Sequence, residues 1–206
     1  MLAMRREHGR LFFRRAHDHA SARTGQCLSS TDWHRVVLTS TDLGNRFMSL
    51  ASVRAFFAAK APDIAIIELQ SSTATVALAA EAHGVSPGQI AKTLAFRIAE
   101  RDVLIVARGD ARIDNRKMKE CFGAKSRMLD AQTVIELTSH PVGGVCPFGL
   151  ATPLSVYCDR SLLAFDEVLP AAGATHSAVR IAPQRMAELV DAEWIDVCQE
   201  VETEPC

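Results

Sequence analysis

The segment GVSPGQIAKTLAFRIAERDVLIVARGD, residues 84–110, carries the strongest fold signal in this sequence of 206 residues. Two apolar runs, residues 91–98 and 103–107, are separated by the short connection Ala-Glu-Arg-Asp. This pattern predicts an antiparallel β-hairpin. Just upstream, Ser86-Pro87 offers an N-cap followed by a proline at the first helical position, which predicts a short helical turn before the first strand.

Helical segments and short apolar runs alternate on both sides of this hairpin. Asp114 and Asp130 are predicted N-caps, and Gly84 and Gly123 are placed to end helices. The predicted helices cover residues 49–61, 75–83, 115–121, 131–137 and 183–190. The other predicted strands cover residues 64–69, 154–157, 178–181 and 194–197. Such alternation predicts one compact α/β or α+β domain.

The composition excludes several classes of protein. Hydrophobic residues make up 48% and charged residues 23% of the chain, as in ordinary globular proteins. No run of about 18 apolar residues is present, so we expect no membrane partner. The six cysteines form no C-x-x-C pair and no histidine joins them at metal-ligand spacing. We therefore expect reduced thiols, no metal, no cofactor and a cytoplasmic location.

Charge divides the chain into segments. Residues 1–47 hold eight Arg, no Lys and four acidic residues, whereas residues 48–206 carry a net charge of -5. We expect residues 1–47 to be a poorly ordered basic extension, with Met48 as the native start. A mitochondrial transit peptide and a nucleic-acid-binding arm are the alternatives. Residues 48–200 are the predicted domain, and residues 201–206 a tail.

Lys92 is a charged residue inside an otherwise apolar predicted strand. Lysine is among the residues least often fully buried. Its ammonium group therefore either extends to the edge of the sheet or faces a polar cavity.

The loop HPVGGVCPFG, residues 140–149, is dense in residues that break regular structure. Gly143 and Gly144 lack a Cβ, so the backbone can approach a ligand and present its N–H groups to an anion or a developing oxyanion. The alternative is a tight crossing between two elements. Cys146 is either a nucleophile or, as we favour, a small buried thiol.

Residues 101–127 carry eight basic and four acidic residues. On a chain with a formal net charge of -1, such a cluster predicts local contacts with phosphates. A solvated helix face is the alternative interpretation.

Four segments in this order resemble the YbaK-type family of aminoacyl-tRNA editing domains, which are also found in or beside prolyl-tRNA synthetases. The segments are GVSPGQIAKTLAF (84–96), GDARIDNRKMKECFGAKSRML (109–129), HPVGGVCPFG (140–149) and AGATHSAVRIAPQRMAEL (172–189). The resemblance covers most of residues 50–198. It implies a single domain with a mixed, partly barrel-like sheet surrounded by helices. It also implies hydrolysis of the ester that joins a wrong amino acid to the 3′ acceptor end of tRNA.

The resemblance also implies roles for individual residues. Lys92 and the backbone of Gly143, Gly144 and Val145 would be catalytic. The remainder of the loop would contact the substrate, through Cys146, Pro147, Phe148 and Gly149. Phosphate contacts of the tRNA would come from the basic cluster, through Arg108, Arg112, Arg116 and Lys117. Some family members carry an aspartate where this chain has Ala178, and the family often has serine at the position of Cys146.

The predicted substrates are small amino acids such as Cys, Ala or Ser, attached to tRNA-Pro. Prolyl-tRNA synthetase is a candidate partner, and we expect a monomer or a weak homodimer. Two other functions remain open. One is a non-catalytic RNA-binding or synthetase-associated module with the same fold. The other is a thiol-based redox protein, which the scattered cysteines disfavour.

Overall fold

The computed structural model describes residues 41–200, and side chains from Ser49 onward. Five α-helices lie in this part of the chain: α1 (Thr41–Lys60), α2 (Val76–His83), α3 (Asn115–Phe122), α4 (Ala131–Thr138) and α5 (Pro183–Leu189). It also holds eight β-strands: β1 (Ile66–Glu68), β2 (Ile90–Ile98), β3 (Arg101–Arg108), β4 (Ser126–Met128), β5 (Ser155–Asp159), β6 (Leu169–Pro170), β7 (Ser177–Val179) and β8 (Glu193–Ile195). Two 3₁₀ helices cover Pro87–Gln89 and Arg160–Ala164.

The predicted hairpin is the centre of the main sheet. β2 and β3 pair antiparallel from Ala91–Arg108 to Ile98–Arg101, so only two residues join them. The first of these, Ala99, has a φ of +52°. β5 lies parallel to β3, and β8 lies parallel to β5. The predicted connection of four residues was therefore too long, because β3 begins at Arg101.

β2 has two short neighbours on its other side. β4 pairs antiparallel with residues 96–98 of β2, and β6 pairs parallel with residues 90–91. The sheet mixes parallel and antiparallel pairs, and its path β4-β2-β3-β5-β8 does not close. β1 and β7 form a separate antiparallel pair. The predicted mixed α/β domain is confirmed, with a sheet that curves without forming a closed barrel.

Both faces of the hairpin are covered. Alternate residues of a strand point to opposite faces, and here Ala95 and Leu104 belong to the largest hydrophobic cluster, which includes α1 and α5. Phe96 and Ile105 belong to a second cluster, which includes Met118 of α3. The middle of β3 is consequently buried on both faces, with residues 103–107 no more than 3% exposed.

Local sequence signals set most helix ends as predicted. The Asp114 carboxylate accepts the N–H groups of Arg116 and Lys117, and the Asp130 carboxylate accepts the N–H of Thr133. Gly84 ends α2 with a φ of +64°. These side-chain acceptors satisfy N–H groups that a helix leaves unpaired in its first turn.

The predicted segment boundary at residues 47/48 lies inside α1, which begins at Thr41. Residues 1–40 of the predicted extension and residues 201–206 of the predicted tail lie outside the described residues. Among residues 41–200, no helix combines the length and the apolar character that crossing a bilayer requires. The same part of the chain holds no group of three or more His, Cys, Asp or Glu side chains arranged as metal ligands.

Candidate functional site

A cavity of about 420 Å³ lies beside β2, at the place where β4 and β6 leave this strand without a neighbour. α2 contributes Val76, Ala79 and His83, which share one face of the helix because they are spaced by three and four residues. The walls are mainly apolar, and Val134 of α4 lines the cavity from another side. Its volume falls in the range of small-molecule sites.

Lys92 and the glycine loop both line this cavity. The loop contributes Val142, Gly143 and Val145. The lysine strand and the loop thus border one cavity, although the sequence separates them by about fifty residues.

The Lys92 ammonium is half-buried and already holds two acceptors. Its Nζ donates to the carbonyl oxygen of Gly109 at 3.0 Å and to that of Ala111. Burial lowers the pKa of this group, and the nearby Asp110 carboxylate opposes the shift. An ammonium has three N–H donors, so one donor is left. The direction of the ammonium is thus set by the chain that follows β3, and neither Gly109 nor Ala111 is among the residues that line the cavity.

Strand alternation separates the Lys92 side chain from the loop. Lys92 lies on the same face of β2 as Leu94, which packs in the second cluster, whereas Val145 packs against the first. The Lys92 side chain and the loop therefore lie toward different faces of the sheet, although both residues border the cavity.

The glycine pair is required by close backbone contacts. A Cβ on Gly143 would lie 2.8 Å from the Cβ of Ala74, and one on Gly144 would lie 2.7 Å from the carbonyl carbon of Ala174. Gly143 also has a φ of +87°, which favours glycine. The tight crossing that the sequence analysis gave as the alternative is therefore present in the loop.

The N–H groups of the loop differ in their partners. The Gly144 N–H donates to the carbonyl of Pro141 at 2.8 Å, which closes a turn. Within residues 41–200, the N–H groups of Gly143 and Val145 donate to no backbone or side-chain acceptor. Two donors that belong to cavity-lining residues thus remain for a ligand.

The second half of the loop lies behind the cavity wall. Cys146 and Phe148 are 0% exposed, and the centroid of the Phe148 ring lies 4.7 Å from that of the Phe57 ring. A Cβ on Gly149 would lie 2.7 Å from the backbone of Ser52, and Pro147 is also buried. None of these four predicted substrate contacts lines the cavity.

Cys146 has a histidine neighbour that the sequence analysis missed. The Nδ1 atom of His140 accepts the N–H of Cys146 at 3.3 Å and lies 3.6 Å from its Sγ. Burial raises the pKa of the Cys146 thiol to about 12, and burial lowers the pKa of His140 to about 4. The pair is therefore a neutral thiol and a neutral imidazole, without the thiolate that a nucleophile needs.

The four predicted tRNA contacts differ in whether the basic side chain is already paired with an acidic one. Arg108 forms a bidentate ion pair with Asp110 at 2.5 and 2.9 Å, and Lys117 donates to Asp196 at 2.8 Å. Arg116 is 80% exposed and lies 3.7 Å from the Glu120 carboxylate. Arg112 is exposed and forms no ion pair with any residue in the range 41–200.

A model described as the aminoacyl-tRNA editing domain matches residues 70–189, the range that holds β2, the glycine loop and most of the cavity wall. The chain belongs to this family. An uncharacterized protein, YwhH of Bacillus subtilis, is 47% identical over 157 residues, which are 75% of this chain and 100% of that protein.

A solved structure described as a candidate trans-editing enzyme for prolyl-tRNA synthetase has a TM-score of 0.69 and 32% identity. The match covers 74% of this chain and 98% of that one. Proline–tRNA ligase of Bacillus cytotoxicus is 30% identical over 81 residues, which are 39% of this chain and only 14% of the ligase. The similarity to the ligase thus concerns one part of a much larger protein.

Proposed function

We propose that residues 48–200 form an aminoacyl-tRNA deacylase that acts separately from the synthetase. The observation that carries this proposal is the cavity shared by Lys92, Gly143 and Val145 in a member of the editing-domain family. The resemblance of nearly the whole domain to a candidate trans-editing enzyme supports the same function.

The reaction is the hydrolysis of an ester. The oxygen of a water molecule bonds to the carbonyl carbon, the bond to the ribose oxygen breaks, and that oxygen receives the proton. An aminoacyl ester is already activated, so holding the carbonyl and the water in position supplies much of the acceleration. The free N–H groups of Gly143 and Val145 would stabilise the oxyanion that forms. The Lys92 ammonium would add positive charge where the ribose and terminal phosphate enter.

The finer parts of the proposal concern substrate and location. The apolar walls and the limited volume of the cavity favour small amino acids such as Cys, Ala or Ser. Similarity to a part of prolyl-tRNA ligases favours tRNA-Pro as the carrier and the cytoplasm as the location. Arg112 and Arg116 would contact the RNA backbone. Such phosphate contacts position a nucleic acid without reading its sequence.

A panel of mischarged tRNAs tests the proposal. We expect the protein to deacylate at least one of Cys-, Ala- and Ser-tRNA-Pro well above the spontaneous rate, and to spare Pro-tRNA-Pro. A protein that binds tRNA but hydrolyses none of these esters would instead be a non-catalytic RNA-binding module.

A further inference from the structure

The edge of β2 that borders the cavity is interrupted. On this side β6 pairs with residues 90–91 and β4 pairs with residues 96–98. The N–H of Leu129 extends the second pairing to the carbonyl of Ala95 at 2.9 Å. Within the described chain, residues 92–94 thus have a strand neighbour only on the β3 side.

The direction of the backbone in this gap follows from the pairing. In an antiparallel pair, successive residues direct their N–H and C=O groups alternately toward one neighbour and the other. Since the Ala95 carbonyl points away from β3, the N–H and C=O of Thr93 also point away from β3. Thr93 therefore presents both main-chain groups to the gap, and it lines the cavity.

The side chain of Thr93 is also without a partner. Its Oγ1 atom is buried and forms no hydrogen bond within the described residues. Three other hydroxyl groups line the cavity, and all are engaged: Thr73 donates to the Thr175 carbonyl, Thr75 accepts the Leu78 N–H, and Ser177 accepts the Ala174 N–H. A buried polar atom without a partner is unfavourable unless a ligand satisfies it.

The charge of the cavity narrows the kind of ligand group that fits here. No Asp or Glu is among its lining residues, so an amino group that enters must find neutral acceptors, of which the buried Nε2 atom of His83 is one. The carbonyl oxygen and Oγ1 of Thr93 provide two further acceptors on one residue, in the cavity that Gly143 and Val145 also line.

We propose that Thr93 binds the free α-amino group of the aminoacyl ester, through its carbonyl oxygen and Oγ1. This inference rests on the proposed deacylase function and gives it a selectivity. An ester whose amino group is acylated, as in peptidyl-tRNA, has lost its positive charge and retains only one N–H to donate to the two acceptors of Thr93. The site therefore accepts aminoacyl-tRNA and rejects N-acylated esters of the same amino acid.

The test uses 3′-deoxy-3′-(alanylamino)adenosine, in which an amide replaces the ester, and its N-acetyl derivative. We expect the full-length protein to bind the free amine at least tenfold more tightly in calorimetry. Thr93→Val should lower this ratio at least threefold, since it removes Oγ1 but keeps the main-chain carbonyl, while leaving the affinity for the N-acetyl compound unchanged, and Thr93→Ser should preserve the ratio. Ser161→Ala is the matched control, because the Ser161 hydroxyl is also buried but lies outside the cavity.

The same comparison is made with Ala-tRNA and N-acetyl-Ala-tRNA as substrates. Equal binding of the two adenosine compounds by the wild type, or an unchanged ratio in Thr93→Val, would overturn the inference. If the ratio behaves as expected but no ester is hydrolysed, the deacylase proposal fails and the amino-group site stands. If esters are hydrolysed with no preference for the free amine, the deacylase proposal stands and the amino-group site fails. The melting temperatures of both Thr93 variants show whether a loss of binding is a loss of folding.

Discussion

The imidazole of His140 closes the glycine loop by accepting the backbone N–H of Cys146 at 3.3 Å, six residues along the chain. Nδ1 must be unprotonated to accept this bond, so the proton of the neutral ring is on Nε2. Nε2 is buried without a partner in the described residues. The conformation of Gly143–Val145 thus depends on a histidine that stays neutral.

A pH dependence of stability follows from this histidine. Burial lowers the pKa of His140 from its ordinary value of 6.5 to about 4. The unfolded state binds this proton more readily than the folded state. The contribution of the neutral His140 ring to the free energy of unfolding is therefore complete above pH 6.5 and is lost as the pH falls to about 4. A pKa shift of this size corresponds to a change of roughly 3 kcal/mol in the free energy of unfolding. Urea denaturation at several pH values measures it, and His140→Gln should flatten the curve over this window. The same slope in both proteins would contradict the assignment.

Replacement of Lys92 is expected to affect both activity and stability. Lys92→Ala removes the half-buried cation proposed to act on the ester, and deacylation should fall at least 100-fold. It also leaves the carbonyls of Gly109 and Ala111 without their donor, which costs about 1–3 kcal/mol. Turnover at saturating protein and the melting temperature separate the two effects. Arg185→Ala is the control, since it removes an exposed cation paired with Asp63 at 2.7 Å. A Lys92→Met protein with full turnover would exclude a catalytic role for the ammonium.

Cys146→Ser should have little effect on turnover. The Cys146 thiol is fully buried and its pKa is raised to about 12, so almost no thiolate exists near pH 7. We expect kcat/KM to stay within about threefold of the wild type. A loss of more than about 100-fold with an unchanged melting temperature would instead indicate covalent catalysis.

Gly143→Ala tests the backbone of the loop. The added Cβ would meet Ala74 at 2.8 Å, and the φ of +87° is strained for alanine. The loop must move, so deacylation should fall by more than tenfold. Gly84→Ala is matched in backbone strain, with a φ of +64°, but its Cβ would have no atom within 4 Å. That control should lose about 1 kcal/mol of stability and retain activity. Equal activity in the two variants would argue against loop donors in catalysis.

The basic residues should separate into RNA contacts and structural pairs. Arg112→Ala should weaken tRNA binding and reduce the slope of log K against log salt by about one. Arg108→Ala should mainly lower stability, because Arg108 is 13% exposed, pairs with Asp110 and lies over the Phe165 ring. Filter binding at several salt concentrations measures the slopes. A salt-independent affinity in the wild type would remove the cluster from the interface.

The elements that the sequence predicts well are those with strong local signals. Asp114 and Asp130 accept N–H groups at the start of a helix, and Gly84 ends one. All of these contacts lie within four residues along the chain, so the local sequence is sufficient to predict the helix ends. The β2–β3 hairpin is also local, apart from the length of its turn.

The features missed depend on residues far apart in the chain. β4 and β6 have three and two residues, too few for a period to be recognised, and they become strands only by pairing with β2. Thr93 follows Lys92 in residues 84–110, but its unpaired main-chain and side-chain groups are a result of the gap between β4 and β6. The six-residue spacing of His140 and Cys146 was visible but has no meaning without the loop conformation.

The interruption of β2 has a consequence for association between molecules. An exposed strand edge invites another chain to add a strand, which is a route to aggregation. With β4 and β6 on either side, the open length is about three residues, or roughly 10 Å. That window admits a small polar group but is shorter than the segment that a second polypeptide needs for stable pairing. The gap in which we propose that the amino group binds is thereby too short to promote self-association through β2.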